Sequence, residues 1–279
     1  MEHLKAPSEC FIYRKKCVGS IGLVPTMGAL HEGHLSLIRK SLSLCNTTVV
    51  TIFVNPKQFS EKEDLDTYPV SLERDLALLK DLDVPCVFTP SLSEIYSENY
   101  SFDVVENKLS LLLEGLSRPR FFSGVITVVS KLFNLFQPTH TFFGEKDAQQ
   151  LTIIKKMIKD LNYNINCVAL PTVRAKNGLA LSSRNQYLSK KQKDVASNIY
   201  KALLLAKECI NSDERNVKIV SDVFFNHLNK YNELKLDYFS ISDLETLEDI
   251  CPIITKNVLI SAAVYLGSVR LIDNVVCSI

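Results

Sequence analysis

The amino-acid sequence predicts an α/β protein in which a doubly wound parallel sheet is followed by a smaller α+β domain. Three observations predict it. Short apolar runs (Ile21 to Val24, Thr47 to Val54, Val84 to Thr89, Thr139 to Phe143, Asn166 to Leu170) alternate with helical patterns up to Leu170, the arrangement of right-handed βαβ units. The runs, Thr47 to Val54 above all, are too continuous for strands with one wet face and suit strands covered on both sides. Beyond Leu170, two helical patterns precede short β runs, the order expected of an α+β unit.

Each element has its own local signals. The first strand breaks at Pro25 to His34 into a turn, and Leu35, Ile38, Leu42 and Cys45 then recur at helical spacing. The second strand stops at Asn55-Pro56-Lys57-Gln58-Phe59, and a polar loop runs from Ser60 to Tyr68. Ser71 is a candidate N-cap for a helix carrying Leu72, Leu76, Leu79 and Leu82. The stretch from Ser91 to Pro119 has no clear period, and leucines crowd together at Leu109 and Leu111 to Leu113. Gly124 to Phe136 is nearly all apolar, so it predicts a buried helix, stopped by Pro138; Ala148 to Leu161 is amphipathic. Ser189 opens a long helix through Ile210, Val217 to Leu228 gives another, and Asp237 to Ser240, Asn257 to Tyr265 and Val269 to Ile272 are the β runs. The change of texture near Leu170 divides the chain into domains at 1–170 and 171–279.

Bulk properties narrow the function. The chain has 279 residues, 46% hydrophobic and 23% charged, ordinary values for a globular protein with a sizeable core. A net charge of +1 argues against a broad footprint for nucleic acid or an anionic membrane, so any anion site is local. The eight cysteines are scattered, form no C-x-x-C pair and read as buried free thiols. Met1 to Lys16 has no apolar targeting core, and no run of about 18 apolar residues occurs, which suits a cytoplasmic protein without a membrane span.

The polar signatures Pro25 to His34, Asn55 to Phe59, Gly144 to Asp147 and Pro171 to Arg174 each follow the carboxyl end of a strand, where ligands of open parallel sheets bind. His31 and His34 fall at the turn and the first helical turn, where free backbone N–H groups and the helix dipole favour an anion such as phosphate. Gly33 leaves no side chain between the two imidazoles, which can donate hydrogen bonds or protons without a permanent charge. A turn whose histidines only cap the helix is the competing reading. Lys146 can place a point charge on phosphate, and Asp147 can hold ribose hydroxyls, a metal or the lysine itself. Ser182, Ser183 and Arg184 supply two hydroxyls and a forked cation. Asp64, Asp66 and Asp75 are carboxylates that could assist a metal.

The His-x-Gly-His signature resembles that of the nucleotidylyl-transferase superfamily. Four segments in order (Pro25 to His34, Phe53-Val54-Asn55-Pro56-Lys57-Gln58-Phe59, Gly144-Glu145-Lys146-Asp147-Ala148-Gln149-Gln150 and Gly178-Leu179-Ala180-Leu181-Ser182-Ser183-Arg184-Asn185) together resemble the pantothenate synthetase family over most of residues 20–190. The resemblance implies a Rossmann-like first domain, a smaller domain covering the active site, and a homodimer through the first domain. It implies condensation of (R)-pantoate with β-alanine at the expense of ATP, with Mg²⁺, through a pantoyl adenylate and with release of AMP and pyrophosphate. It puts Met27, Gly28, Ala29, Leu30, His31, Glu32, Gly33, His34, Gly144, Glu145, Lys146, Asp147, Val173, Leu181, Ser182, Ser183 and Arg184 around ATP, and Gln58 and Gln150 on pantoate, with Gln58 also near β-alanine. His34, His31, Lys146 and Arg184 are its catalytic candidates.

Two segments depart from the family pattern. Arg120-Phe121 stands where Gly-His is usual, and Asn177 where Asp is usual, which bears on the loop near Arg118 and on substrate affinity. An adenylyltransferase for a phosphorylated acceptor would need more cations near Gln58 than Lys57. A non-catalytic nucleotide binder would be marked by loss of His34 or Lys146, and both are present.

Overall fold

The computed structural model describes residues 1–60 and 63–279; of the polar loop 60–68, Glu61 and Lys62 lie outside the described residues. The chain divides into two compact units. The first comprises Met1–Ser110, Arg118–Glu145 and Gln150–Pro171, and the second Leu111–Ser117, Lys146–Gln149 and Thr172–Ile279.

The first unit is built on six strands, β1 (Glu2–Leu4), β2 (Ile21–Thr26), β3 (Thr47–Ile52), β4 (Cys86–Phe88), β5 (His140–Gly144) and β6 (Asn166–Leu170). They lie in the order β1-β4-β3-β2-β5-β6, and every pairing is parallel. Helices α1 (Pro7–Lys16), α2 (Glu32–Leu44), α3 (Leu72–Asp81), α4 (Leu92–Ile95), α5 (Glu114–Ser117), α6 (Phe121–Phe136) and α7 (Ala148–Asp160) interleave with the strands; α5 and the first two residues of α7 group with the second unit. Because the chain leaves β2 toward β3 on one side and β5 leads to β6 on the other, the order reverses between β2 and β5, the switch point at which such sheets take ligands.

Packing explains the continuous apolar strands. Val24, Val50 and Val87 cluster with Leu35 and Ile38 of α2 and Leu79 of α3. The next residue of β4, Phe88, meets Phe136 of α6 edge to face at 5.7 Å. Successive strand residues point to opposite faces, so α2 and α3 cover one face of the sheet and α6 the other. At the edge, β1 was not evident in the sequence. Its three residues include two exposed polar ones, and pairing of Glu2, His3 and Leu4 with Cys86, Val87 and Phe88 holds it there. Helix α6 starts at Phe121, three residues before the apolar run at Gly124 suggested. Ser71 occupies the N-cap of α3 but makes no side-chain capping bond.

The second unit carries α8 (Lys190–Asn211), α9 (Val217–Leu228), β7 (Leu234–Asp243), β8 (Val258–Leu266) and β9 (Val269–Cys277). The strands run antiparallel in sequential order; β7 and β9 extend further than the runs Asp237 to Ser240 and Val269 to Ile272, and β8 lies one residue beyond the run Asn257 to Tyr265. Ser189 caps α8 through a reciprocal bond pair with Gln192. Ile199, Leu203, Phe224, Ile260 and Val264 are among the residues of its core. The short segments Leu111–Ser117 and Lys146–Gln149 are tied to this unit by side chains. Arg270 forks onto Glu114 at 2.5 and 3.1 Å and onto Asp237. Gln149 bridges Leu112 and Glu114, and Asn274 donates to the carbonyl of Lys146 at 2.8 Å.

All eight cysteines are free thiols, and seven are buried or half-buried as expected, whereas Cys251 is exposed. Burial pushes the thiols of Cys10 and Cys167 up to about 12 and about 11, far from the range of reactive cysteines. No described helix is long and apolar enough to cross a membrane.

Candidate active site

The signature turn begins where β2 ends. Thr26 Oγ1 donates to the carbonyl of Thr51 at 2.7 Å and accepts from Gly28 N at 3.2 Å. The backbone then turns left-handed at Gly28 (φ +83°) and Ala29 (φ +50°). Ala29 N and Leu30 N donate to the two carboxylate oxygens of Asp75 at 2.8 and 2.9 Å. His31 is the N-cap of α2, its Nδ1 accepting from Gly33 N at 3.1 Å, and His34 Nδ1 accepts from His31 N at 3.4 Å. A Cβ at Gly33 would sit 2.8 Å from His31 Cε1, so only glycine lets the ring fold back over the helix start. The imidazole centroids are 4.1 Å apart.

These contacts correct one expectation and join two others. The N–H groups of residues 28–31 and 33 are engaged by the protein's own side chains rather than held open for an anion. The histidines do cap the helix, and the capping fixes their chemistry. A neutral imidazole that accepts at Nδ1 carries its proton on Nε2. Both rings are therefore set as Nε2–H donors, the form suited to phosphate oxygens.

A second cluster forms after β3. Pro56–Gln58 is a single 3₁₀ turn capped by Asn55. Fully buried Asn55 accepts from Lys57 N at 3.3 Å and Tyr96 OH at 3.0 Å, and it donates to the carbonyl of Gly124 at 3.0 Å. A side chain at Gly124 would collide with the Lys57 carbonyl and Gln58 N, so this glycine lets α6 press directly on the turn. Arg118 donates to the Gln58 carbonyl at 3.1 Å, is forked onto Glu63 at 2.7 and 2.6 Å, and lies 3.7 Å over the ring of Phe121. Gln58 is thus buried and held from three sides. Gln150 lies half-buried in the first turn of α7, within the same unit.

The departures have a visible geometry. Arg120 sits at φ +70°, a left-handed position that favours the glycine usual there, and Phe121 supports the guanidinium of Arg118 from below. Asn177 donates to Asp194 at 3.1 Å and accepts from Leu179 N at 3.2 Å, closing the loop before Gly178.

In the second unit, Lys146 pairs with Asp147 at 3.5 Å within the 3₁₀ turn Glu145–Asp147 that follows Gly144. Leu181 N donates to the Val173 carbonyl at 3.0 Å. Ser182 caps the next turn by accepting from Arg184 N at 3.3 Å, and Ser183 is buried. Arg174, next to Val173, is forked onto Asp273 at 2.6 and 2.8 Å and stacks 3.4 Å over Tyr200, which pins this loop.

Asp75 belongs to the site in a way its sequence reading missed. Its two oxygens face backbone amides, and it is fully buried, so its carboxylate is engaged with the turn itself. The signal was present in the periodicity, because Asp75 falls on the Leu72, Leu76, Leu79 stripe of α3. A charge on an apolar stripe demands a specific partner.

Comparison with known proteins shows what the whole chain is similar to. The family model described as pantoate-beta-alanine ligase matches residues 3–276. The pantothenate synthetase of Thermosipho africanus is 48% identical over 276 residues, 99% of this chain and 98% of that one. The crystal structure of pantothenate synthetase from Thermus thermophilus superposes with a TM-score of 0.93 at 39% identity and 99% coverage of both chains. The pantoate-beta-alanine ligase of Francisella tularensis, complexed with beta-gamma ATP and beta-alanine, gives 0.81 at 35% identity, covering 99% of this chain and 97% of that one.

Proposed function

This chain belongs to the pantoate–β-alanine ligase family, enzymes that join pantoate to β-alanine, and we propose that it does so in two steps at the expense of ATP. The pantoate carboxylate attacks the α-phosphorus and pyrophosphate leaves. The neutral amine of β-alanine then attacks the acyl carbon of the pantoyl adenylate, AMP leaves, and the nitrogen gives up a proton. The observation that carries this reading is the pair of imidazoles at the start of α2, each accepting a backbone N–H at Nδ1 and so presenting a proton at Nε2.

We assign His31 to phosphate contact and His34 to proton donation or charge stabilisation as pyrophosphate departs, a step for which preorganised donors are worth the most. Met27 to Leu30, Glu32 and Gly33 shape the nucleotide turn. Lys146 and Arg184 neutralise polyphosphate charge, and Gly144, Glu145, Asp147, Val173, Leu181, Ser182 and Ser183 take ATP contacts in the same reading. Gln58 and Gln150, amides that both donate and accept, suit the hydroxyls and carboxylate of pantoate. ATP as substrate is supported by the nucleotide and β-alanine in the Francisella relative.

Mg²⁺ fits as an ion that arrives with the polyphosphate, since it commonly keeps waters and takes phosphate oxygens with one or two carboxylates. Among the described residues no group of three or more His, Cys, Asp or Glu side chains could hold a metal by itself, and Asp147 is the carboxylate beside Lys146. Bound there, the ion would add positive charge to the phosphates. A homodimer through the first unit and a cytoplasmic location, which suits eight free thiols, complete the proposal.

Purified protein given ATP, Mg²⁺, pantoate and β-alanine should form AMP and pantothenate in equal amounts. Without β-alanine it should catalyse ATP–pyrophosphate exchange that depends on pantoate. Exchange that ignores pantoate would defeat the adenylate step.

A further inference from the structure

The turn that carries the paired histidines has an unusual support. On one side lies a half-open pocket of about 280 Å³ whose lining includes Met27, Gly28, Ile52, Leu72 and Asp75, so the turn is not packed by side chains all round. Its backbone is also costly, because Ala29 at φ +50° is a residue with a Cβ in the left-handed region, a conformation that persists only when its surroundings over-determine it. The contact that meets both needs comes from α3, 45 residues away in sequence.

We infer that Asp75 is the positioning residue of the nucleotide turn: its carboxylate grips the N–H groups of Ala29 and Leu30 and so sets the backbone from which His31 and His34 project. The role rests on the assignment of this turn to ATP. A carboxylate with no exposed surface, on the apolar stripe of a helix, is expensive unless its charge is met by donors. Here the donors are two consecutive amides, one per oxygen, at 2.8 and 2.9 Å. The fit is close on both sides, since a Cβ at Gly28 would lie 3.0 Å from Asp75 Oδ2. Burial raises the Asp75 carboxyl above its ordinary range while the two amides, and Arg74 beside it, pull it back. The amides thus do part of what water does for an exposed carboxylate. Two parallel N–H bonds to one carboxylate fix direction as well as distance, and the next residue along is the N-cap His31.

The Asp75→Asn variant keeps the shape and changes the hydrogen bonding, because one oxygen becomes an NH₂ group facing an N–H. Titrations with ATP and with pantoate, separately, are compared with backbone amide exchange at Ala29 and Leu30 and with the melting temperature. We expect ATP affinity to fall by about 10-fold or more, the usual consequence of losing a hydrogen bond to a charged group, with pantoate affinity within about twofold. Exchange at the two amides should accelerate by a similar factor. Adding Ala29→Gly should restore part of the ATP affinity, because glycine accepts the left-handed backbone without the grip. Equal losses for ATP and pantoate would reduce Asp75 to a general structural residue, and unchanged ATP affinity would overturn the role outright. Should Asp75→Asn fail to fold, amide exchange in the unmodified protein decides: Ala29 and Leu30 must be protected, and exchange as fast as in an open loop refutes the grip. If the unmodified protein bound no ATP, the assignment of the turn would fall, while the exchange comparison would still report whether the grip exists.

Discussion

Replacing His34 by two different residues separates helix capping from chemistry. His34 is the third residue of α2, and its Nδ1 reaches back to His31 N in a capping box. Glutamine is a natural occupant of that position, so His34→Gln keeps an acceptor for the amide and removes the imidazole, whereas His34→Ala removes both. The capping bond is long, 3.4 Å, so its loss in His34→Ala should cost about 0.5 kcal/mol, the low end for caps. That corresponds to a melting shift of about 2 °C or less for a chain of this size. If the ring stabilises charge only as pyrophosphate leaves, both variants should lose about 2.7–4 kcal/mol of transition-state stabilisation, two to three decades in kcat. The assay is steady-state turnover beside thermal melting for both variants. A His34→Gln enzyme that turns over within about threefold of the unmodified protein, against the decades that loss of such a donor costs, would mean that the histidine is only a cap.

Two further outcomes follow from backbone and charge. Arg120→Gly should stabilise the protein, since relieving a left-handed non-glycine residue returns about 1–2 kcal/mol and the added freedom of the unfolded chain takes back about 0.4–1; a urea midpoint that falls would contradict this account of φ +70°. The Asp243 carboxyl is held well below the usual carboxylate range, first by Lys256 at 2.5 Å and then by the amides of Thr246 and Glu245. A depressed folded-state pKa adds stability that is complete above the unfolded value near 4 and is lost as pH falls below it. Asp243→Asn should accordingly flatten part of the acid limb of a stability-against-pH curve, and an unchanged limb would refute the assignment.

The sequence carried the strand-turn-helix units because their signals are local. The apolar runs, the break at Pro25 to Gly28 and the capping residues at His31 and Ser189 all lie within a few positions of what they control. The candidate site was proposed on the same kind of signal, motifs at strand ends. What the sequence did not carry is long-range pairing. β1 exists only because Cys86 to Phe88 offers an edge. Asn55 and Gly124 meet across 69 residues, and Asp75 finds its amides 45 and 46 residues back. The grouping of Leu111–Ser117 with the second unit depends on Arg270, and no periodicity around Ser91 to Pro119 announces it.

That last contact has a consequence for how the molecule is made. Glu114 is buried and its guanidinium partner lies 156 residues downstream, so the acid is translated long before the residue that neutralises it. A fragment beginning at Thr172 would keep the Arg270–Asp237 pair and lose the Arg270–Glu114 one, so the guanidinium would retain only one of its two carboxylates. A contiguous piece from Thr172 onward therefore lacks one of the ion pairs that tie this unit together. On the ribosome, the Glu114–Arg270 pair can form only after β9 has emerged.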